Sequence, residues 1–154
     1  MKASKILFPT DFSHSSDAAL AYATALCRES GAEMLIVHVE EPPMNYGVGE
    51  MYYGMPEPDI DALRKMLLAV VPTQPDVCYE HRLAVGDPAD EIVRIAEAEH
   101  VDLIVLGTHG RSGFSRLLMG SVAEVVVRKA TCPVLTFKPP HAKSSRKALG
   151  ASHR

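Results

Sequence analysis

Short apolar runs alternate with stretches of helical spacing along most of this chain, and that alternation constrains the fold more than any other feature. Ile6-Leu7-Phe8-Pro9, Met34 to Val39, Leu103 to Leu106 and Pro133 to Phe137 are apolar runs of strand length. A strand that is apolar on both faces belongs inside a sheet covered on both sides. Val77 to Val85 has mixed faces and reads as a strand nearer a sheet edge. Between these runs, apolar residues recur three and four apart: Ala19, Tyr22, Ala23, Leu26 and Cys27; Ile60, Leu63 and Leu67; Ile92, Ile95 and Ala96; Val122, Val125 and Val126. That is the period of helices with one buried stripe. The boundaries agree with it. Ser13, Ser15 and Ser16 offer N-caps for the first helix, with Asp17 in its first turn, and Gly31 is placed to end it. Asp87-Pro88 opens the third helix, with proline at its first position. Gly120-Ser121 opens the fourth, and Arg128 and Lys129 sit at its negative end.

The order β-α-β-α-β-α-β-α-β predicts an α/β fold: a doubly wound, five-stranded parallel sheet with helices on both faces. The expected strand order is 3-2-1-4-5. Ligands of such sheets bind beyond the carboxyl ends of the strands, where the strand order reverses. Here that point lies between strands one and four, which singles out Pro9 to Ser13 and the loop after Leu106.

With 154 residues, the chain suggests one globular domain, placed over residues 1–138, and a disordered basic tail over 139–154. The tail reads as a solvated terminus or an interaction arm. The net charge of −3 argues against broad nucleic-acid binding. Cys27, Cys78 and Cys132 have no metal-ligand spacing and suit a reducing compartment, as small buried hydrophobes. No apolar stretch has the length of a signal-peptide core or a membrane span, so a soluble cytoplasmic protein is expected.

The chemistry concentrates in Gly107 to Ser121. Strand-to-helix connections in α/β units usually take about 2–6 residues, and longer ones tend to be functional. This segment holds four glycines, two arginines and three serines. Glycines admit backbone N–H groups close to an anion. Gly120-Ser121 lies at a helix N-terminus, which favours negative charge. Arg111 and Arg116 offer charge-assisted contacts, and Ser121 a hydroxyl. No G-x-x-x-x-G-K-[ST] and no G-x-G-x-x-G after the first strand is present. Taken by spacing alone, the glycines serve either turns or a phosphate; their place at the switch point favours phosphate.

Gly107-x2-Gly110-x9-Gly120-Ser121 resembles the G-x2-G-x9-G-[ST] signature of the ATP-binding branch of the universal stress protein family. The likeness runs over about residues 3 to 138 and includes Pro9-Thr10-Asp11, Gly86-Asp87-Pro88 and Cys132-Pro133-Val134-Leu135. It implies that Gly110, Gly113, Gly120 and Ser121 hold the phosphates of ATP, with the amide of Val122 beside them. It implies that Asp11 accepts from the ribose hydroxyls and that Pro9, Thr10 and the backbone of Val39 frame the adenine. ATP, with or without Mg²⁺, is then the expected ligand of a stress-response module whose nucleotide state is read by a partner or by its own dimer. A homodimer through Pro133 to Phe137 is expected from the apolar sheet edge and from the resemblance.

Other readings stay open on these residues. Asp11 also suits a cap on the first helix turn. His14 and His109 suit exposed loop positions or a phosphate contact, and His38 a hydrogen-bonded core position. The Met and Tyr residues of 44–55 suit a lid, a partner surface or an insert with no partner. A slow ATPase or phosphotransferase is the alternative function. The candidates for its chemistry are Asp11, His14 and His109, with no P-loop lysine or Walker-B-like carboxylate beside them.

Overall fold

β1 (Lys5–Pro9) lies in the middle of the sheet and is hydrogen-bonded on both sides. One neighbour is β2 (Glu33–Glu40), in register from Lys5↔Glu33 to Pro9↔Val37. The other is β4 (Leu103–Gly107), paired at Ile6↔Leu103 and Leu7↔Ile104. β3 (Tyr79–Val85) flanks β2, and β5 (Val134–Phe137) flanks β4. The result is an all-parallel sheet of order β3-β2-β1-β4-β5, as the alternation predicts. The computed structural model describes residues 3–42, 59–108 and 119–138; the expected tail over 139–154 and the Met- and Tyr-bearing residues 44–55 lie outside them.

Strand alternation sends neighbouring side chains to opposite faces. Ile6, Phe8, Met34 and Ile36 meet Ala19, Ala23 and Cys27 of α1 (His14–Ser30) and Leu67 of α2 (Ile60–Ala69). Leu7, Leu35, Val37, Ile104 and Leu106 meet Ile92 and Ile95 of α3 (Pro88–Ala98) and Ala123 and Val126 of α4 (Ser121–Lys129). Phe8 and Ile36 are completely buried, each stabilising the fold by about 1.5–3 kcal/mol.

Several local expectations need correction. β3 begins at Tyr79 rather than Val77, although Val77 is still buried against the first core face. Ser13 is the N-cap of α1, but its side chain makes no capping bond. Only Cys27 is fully buried among the cysteines, and burial pushes its thiol up to about 11, which leaves it unreactive near neutral pH. Cys132 is half-buried, and Cys78 is exposed because it precedes an edge strand. Gly31 does end α1, in the left-handed conformation (φ 73°).

The β1–β4 pairing is short, and a carboxylate reinforces it. Asp102 Oδ2, just ahead of β4, accepts from the amides of Ser4 (2.6 Å) and Lys5 (3.1 Å) at the start of β1. Those two bonds hold the Asp102 carboxyl below the usual aspartate range. A carboxyl depressed by folding stabilises the native state above its unfolded pKa, near 4, and the effect disappears as pH falls through the lower folded value. Asp102→Asn is therefore expected to melt below wild type at pH 7, with the gap closing on acidification toward pH 3. Thermal melts followed by circular dichroism at stepped pH check this. A gap that does not change with pH contradicts it.

Candidate functional site

Because β1 leads into α1 on one face and β4 leads toward α4 on the other, the chain parts beyond the carboxyl ends of these strands. A cleft of about 380 Å³ opens there. Its walls contain Pro9, Thr10, Asp11, Val39, Gly107, Gly120, Ser121 and Val122, so eight residues predicted from the sequence converge on one cavity. Gly110, Arg111 and Gly113 lie outside the described residues, as do Arg116 and His109.

The β1 end supplies the polar corner. Thr10 is buried, and its amide donates to the Val37 carbonyl (2.8 Å), carrying the β1–β2 ladder one step past β1. Asp11 follows, half-buried. Its Oδ1 accepts from the Ser13 amide (3.0 Å) and the Ser16 hydroxyl (2.8 Å). Burial alone would push this carboxyl up; the bonds from Ser13 and Ser16 outweigh it and hold it below the ordinary range. Asp11 is thus a fixed anion on the cleft wall at neutral pH. The two readings of this residue are compatible, since the structure joins it to the first turn of α1 and also places it in the cleft.

The β2 end supplies an apolar slot. Val37 and Val39 project to the same face as Ile92, and all three line the cavity, with Leu106 and Ala123. Position and tilt of α3 are set by Gly86-Asp87-Pro88. The Gly86 amide donates to the Glu40 carbonyl (3.0 Å). Gly86 has φ 151°, a conformation that residues with a side chain rarely adopt, and a Cβ there would also displace the Glu91 side chain, 2.8 Å away at Cγ. Asp87 Oδ1 then accepts from the Asp90 amide (3.0 Å), and Pro88 occupies the first turn. This turn brings Pro88 and Ile92 to the cavity wall.

The α4 end supplies a helix N-terminus. The Gly120 amide donates to the Thr108 carbonyl (2.7 Å), which docks the helix start against the end of β4. The first amides of a helix have no acceptor within the helix. Those of α4 belong to Ser121, Val122 and Ala123, all on the cavity wall. Gly120 makes no side-chain cap, and its φ of −59° is open to any residue. Backbone conformation therefore does not demand a glycine at 120.

Sequence reasoning missed His38, Glu40, Glu41, Pro88 and Ile92 as cavity residues, while Thr108 falls within the loop it singled out. Glu40 and Glu41 directly follow the apolar β2 run, so the rule that ligands sit beyond strand ends could have found them. Ile92 was legible only as part of a buried helical stripe. Among the described residues, no group of three His, Cys, Asp or Glu side chains is placed to hold a metal ion, and no helix is long and apolar enough to cross a membrane.

The model of the universal stress protein family matches residues 2–138. Universal stress protein MJ0577 of Methanocaldococcus jannaschii is 30% identical over 152 residues, covering 87% of this chain and 94% of its own. A solved structure of MJ0577 superposes with a TM-score of 0.66 over 92% of this chain and all of its own. The universal stress protein of Archaeoglobus fulgidus in complex with dAMP gives a TM-score of 0.65 at 26% identity, covering 88% of this chain and 98% of that one. A universal stress protein in complex with cAMP gives 0.63, also at 26% identity, covering 88% and 97%. With sheet order, switch-point cleft and family match in agreement, this chain belongs to the universal stress protein family.

Proposed function

We propose that this chain is an adenine-nucleotide-binding module of the ATP-binding branch of its family, acting in the cytoplasm in the response to stress. The observation that carries the reading is one cleft that combines three unlike surfaces: an apolar slot at the end of β2, a fixed carboxylate at the end of β1 and the N-terminus of α4. A nucleotide has the matching parts in one molecule. The purine suits the slot between Val39, Ile92 and Leu106, framed by Pro9 and Thr10. Asp11 suits the ribose hydroxyls as an acceptor. Gly120, Ser121 and the amide of Val122 suit a phosphate, with the helix dipole favouring its charge. Gly107, Gly110, Arg111 and Gly113 complete the phosphate loop in this reading. Mg²⁺ would arrive on the triphosphate, since hydrated Mg²⁺ commonly binds through substrate phosphates. The dAMP and cAMP complexes of the relatives support an adenine nucleotide as the ligand class.

The nucleotide state would be read by a partner or by the protein's own dimer. β5 is a sheet edge, paired on one side to β4, and it exposes Leu135. Tyr22 of α1 stacks on Phe137 (ring centroids 4.3 Å apart) and is itself exposed, as is Val127 of α4. An apolar sheet edge with such flanks suits pairing with a second copy.

Two outcomes are expected. Gly120→Val places a branched side chain where the α4 terminus would meet phosphate. It should abolish ATP binding in isothermal titration while circular dichroism stays native. Ser121→Ala should weaken binding by at most about a hundredfold, the most expected from one hydrogen bond to a charged group. Lys65→Ala, on the exposed face of α2, should be silent. A folded Gly120→Val that binds ATP like wild type would show that this glycine serves only the turn. For assembly, light scattering at micromolar concentration should give the mass of a dimer for wild type and of a monomer for Leu135→Lys. A monomeric wild type contradicts the proposed interface.

A further inference from the structure

The residue after Asp11 has an unusual backbone. Phe12 adopts φ 64°, the left-handed region that bulky side chains rarely enter. Such a conformation persists only where its surroundings over-determine it. Here two of those restraints come from one side chain on β2. His38 is buried, and its Nδ1 lies 2.8 Å from the Thr10 carbonyl oxygen. A carbonyl can only accept, so Nδ1 carries the proton. The imidazole also packs on the Phe12 ring, with centroids 4.3 Å apart and planes tilted by 38°. The Phe12 amide turns back to Thr10 Oγ1 (3.1 Å) and closes the corner. His38 therefore grips the residues on both sides of Asp11, one by hydrogen bond and one by stacking.

The far side of the imidazole is constrained as well. Nε2 is buried and has no hydrogen-bond partner among the described residues; Glu40 Oε2 stands 3.5 Å away, too far for a well-formed bond. A buried imidazole nitrogen left without a partner costs stability. The ring's connections run instead to the β1–α1 corner, whose middle residue is the cleft carboxylate.

We propose that His38 is a positioning residue that sets the orientation of Asp11 and so governs how strongly the cleft distinguishes a ribose from a sugar lacking its hydroxyls. This rests on the assignment of Asp11 to the ribose. The chain of contacts is short: His38 Nδ1–H to the Thr10 carbonyl, His38 ring to the Phe12 ring, and Asp11 between them. Without the histidine, the Thr10 carbonyl loses this donor and Phe12 loses its stacking partner. Asp11 keeps its local bonds to Ser13 and Ser16, and the Thr10 amide keeps its bond to Val37, but the Thr10 carbonyl and Phe12, on either side of Asp11, are no longer held by His38.

The test compares ATP with 2′,3′-dideoxy-ATP by isothermal titration on the full chain. Wild type should prefer ATP by roughly tenfold or more, the value of a hydrogen bond to a charged acceptor. Asp11→Ala should abolish that preference. In His38→Leu the preference should collapse toward unity while dideoxy-ATP still binds, because purine and phosphate contacts remain. His38→Asn, whose amide can donate near the place of Nδ1, should keep more of the preference than His38→Gln, whose amide reaches toward Nε2. That pair carries the test should His38→Leu fail to fold. Equal weakening of both nucleotides in the His38 variants, or no change in the ratio, overturns the proposal. Failure of the underlying reading is visible separately: wild type would then bind no ATP, or Asp11→Ala would leave the ratio untouched.

Discussion

The pairing of β1 on both of its edges is the constraint on which the site depends. β2 and β4 fix β1 from opposite sides, and the crossovers that follow β1 and β4 must then depart to opposite faces. A crevice at the carboxyl end is a geometric consequence. The three surfaces that face it have separate origins. The slot comes from β2 and α3, the carboxylate from the turn after β1, and the helix terminus from the segment after β4. At the opposite end of the sheet, Glu99 after α3 accepts from Lys5 (3.0 Å) and Arg82 (2.6 Å), linking β1 and β3. Both pairs are partly buried. They sit where no crevice is needed, and the carboxyl end is left to ligand chemistry.

Placement of charge follows the same division. Asp11 is held ionised with the help of hydrogen bonds from the Ser13 amide and the Ser16 hydroxyl, both within the first turn of its own chain segment. α4 carries Arg128 and Lys129 in its last turn, away from the cleft, where they complement the negative helix end. Its first turn has no side-chain cap. That turn thus presents bare amides to the cavity, a suitable arrangement for an anion.

Much of this was legible from residue order. The apolar runs at 6–9, 34–39, 103–106 and 133–137 define strands because buried parallel strands tolerate no polar face, and the mixed run at 77–85 sits at an edge as expected. Pro9, Thr10, Asp11, Gly120 and Ser121 could be placed together because topology alone brings strand ends together. What stayed hidden depends on side-chain packing at a distance. Gly86 stands in the sequence only as part of Gly86-Asp87-Pro88, while its φ of 151°, which side chains rarely adopt, is visible only in the structure. His38 reads as a core residue, which it is, while its grip on Thr10 and Phe12 needs coordinates. The serines at 13, 15 and 16 suggest capping by side chain. Instead the Ser13 carbonyl receives the Ser16 and Asp17 amides, and Asp11 takes the Ser13 amide and the Ser16 hydroxyl.

The central claim is that one adenine nucleotide spans the crevice from the β2 end to the start of α4. Titration of isotope-labelled protein with ATP, followed by amide chemical shifts, tests it residue by residue. The account predicts saturable shifts at Thr10, Asp11, Val39 and Gly107 and across Gly120 to Ala123, with α2 and β3 unmoved. Saturation without shifts at these residues, or shifts centred on α2 and β3, would contradict it.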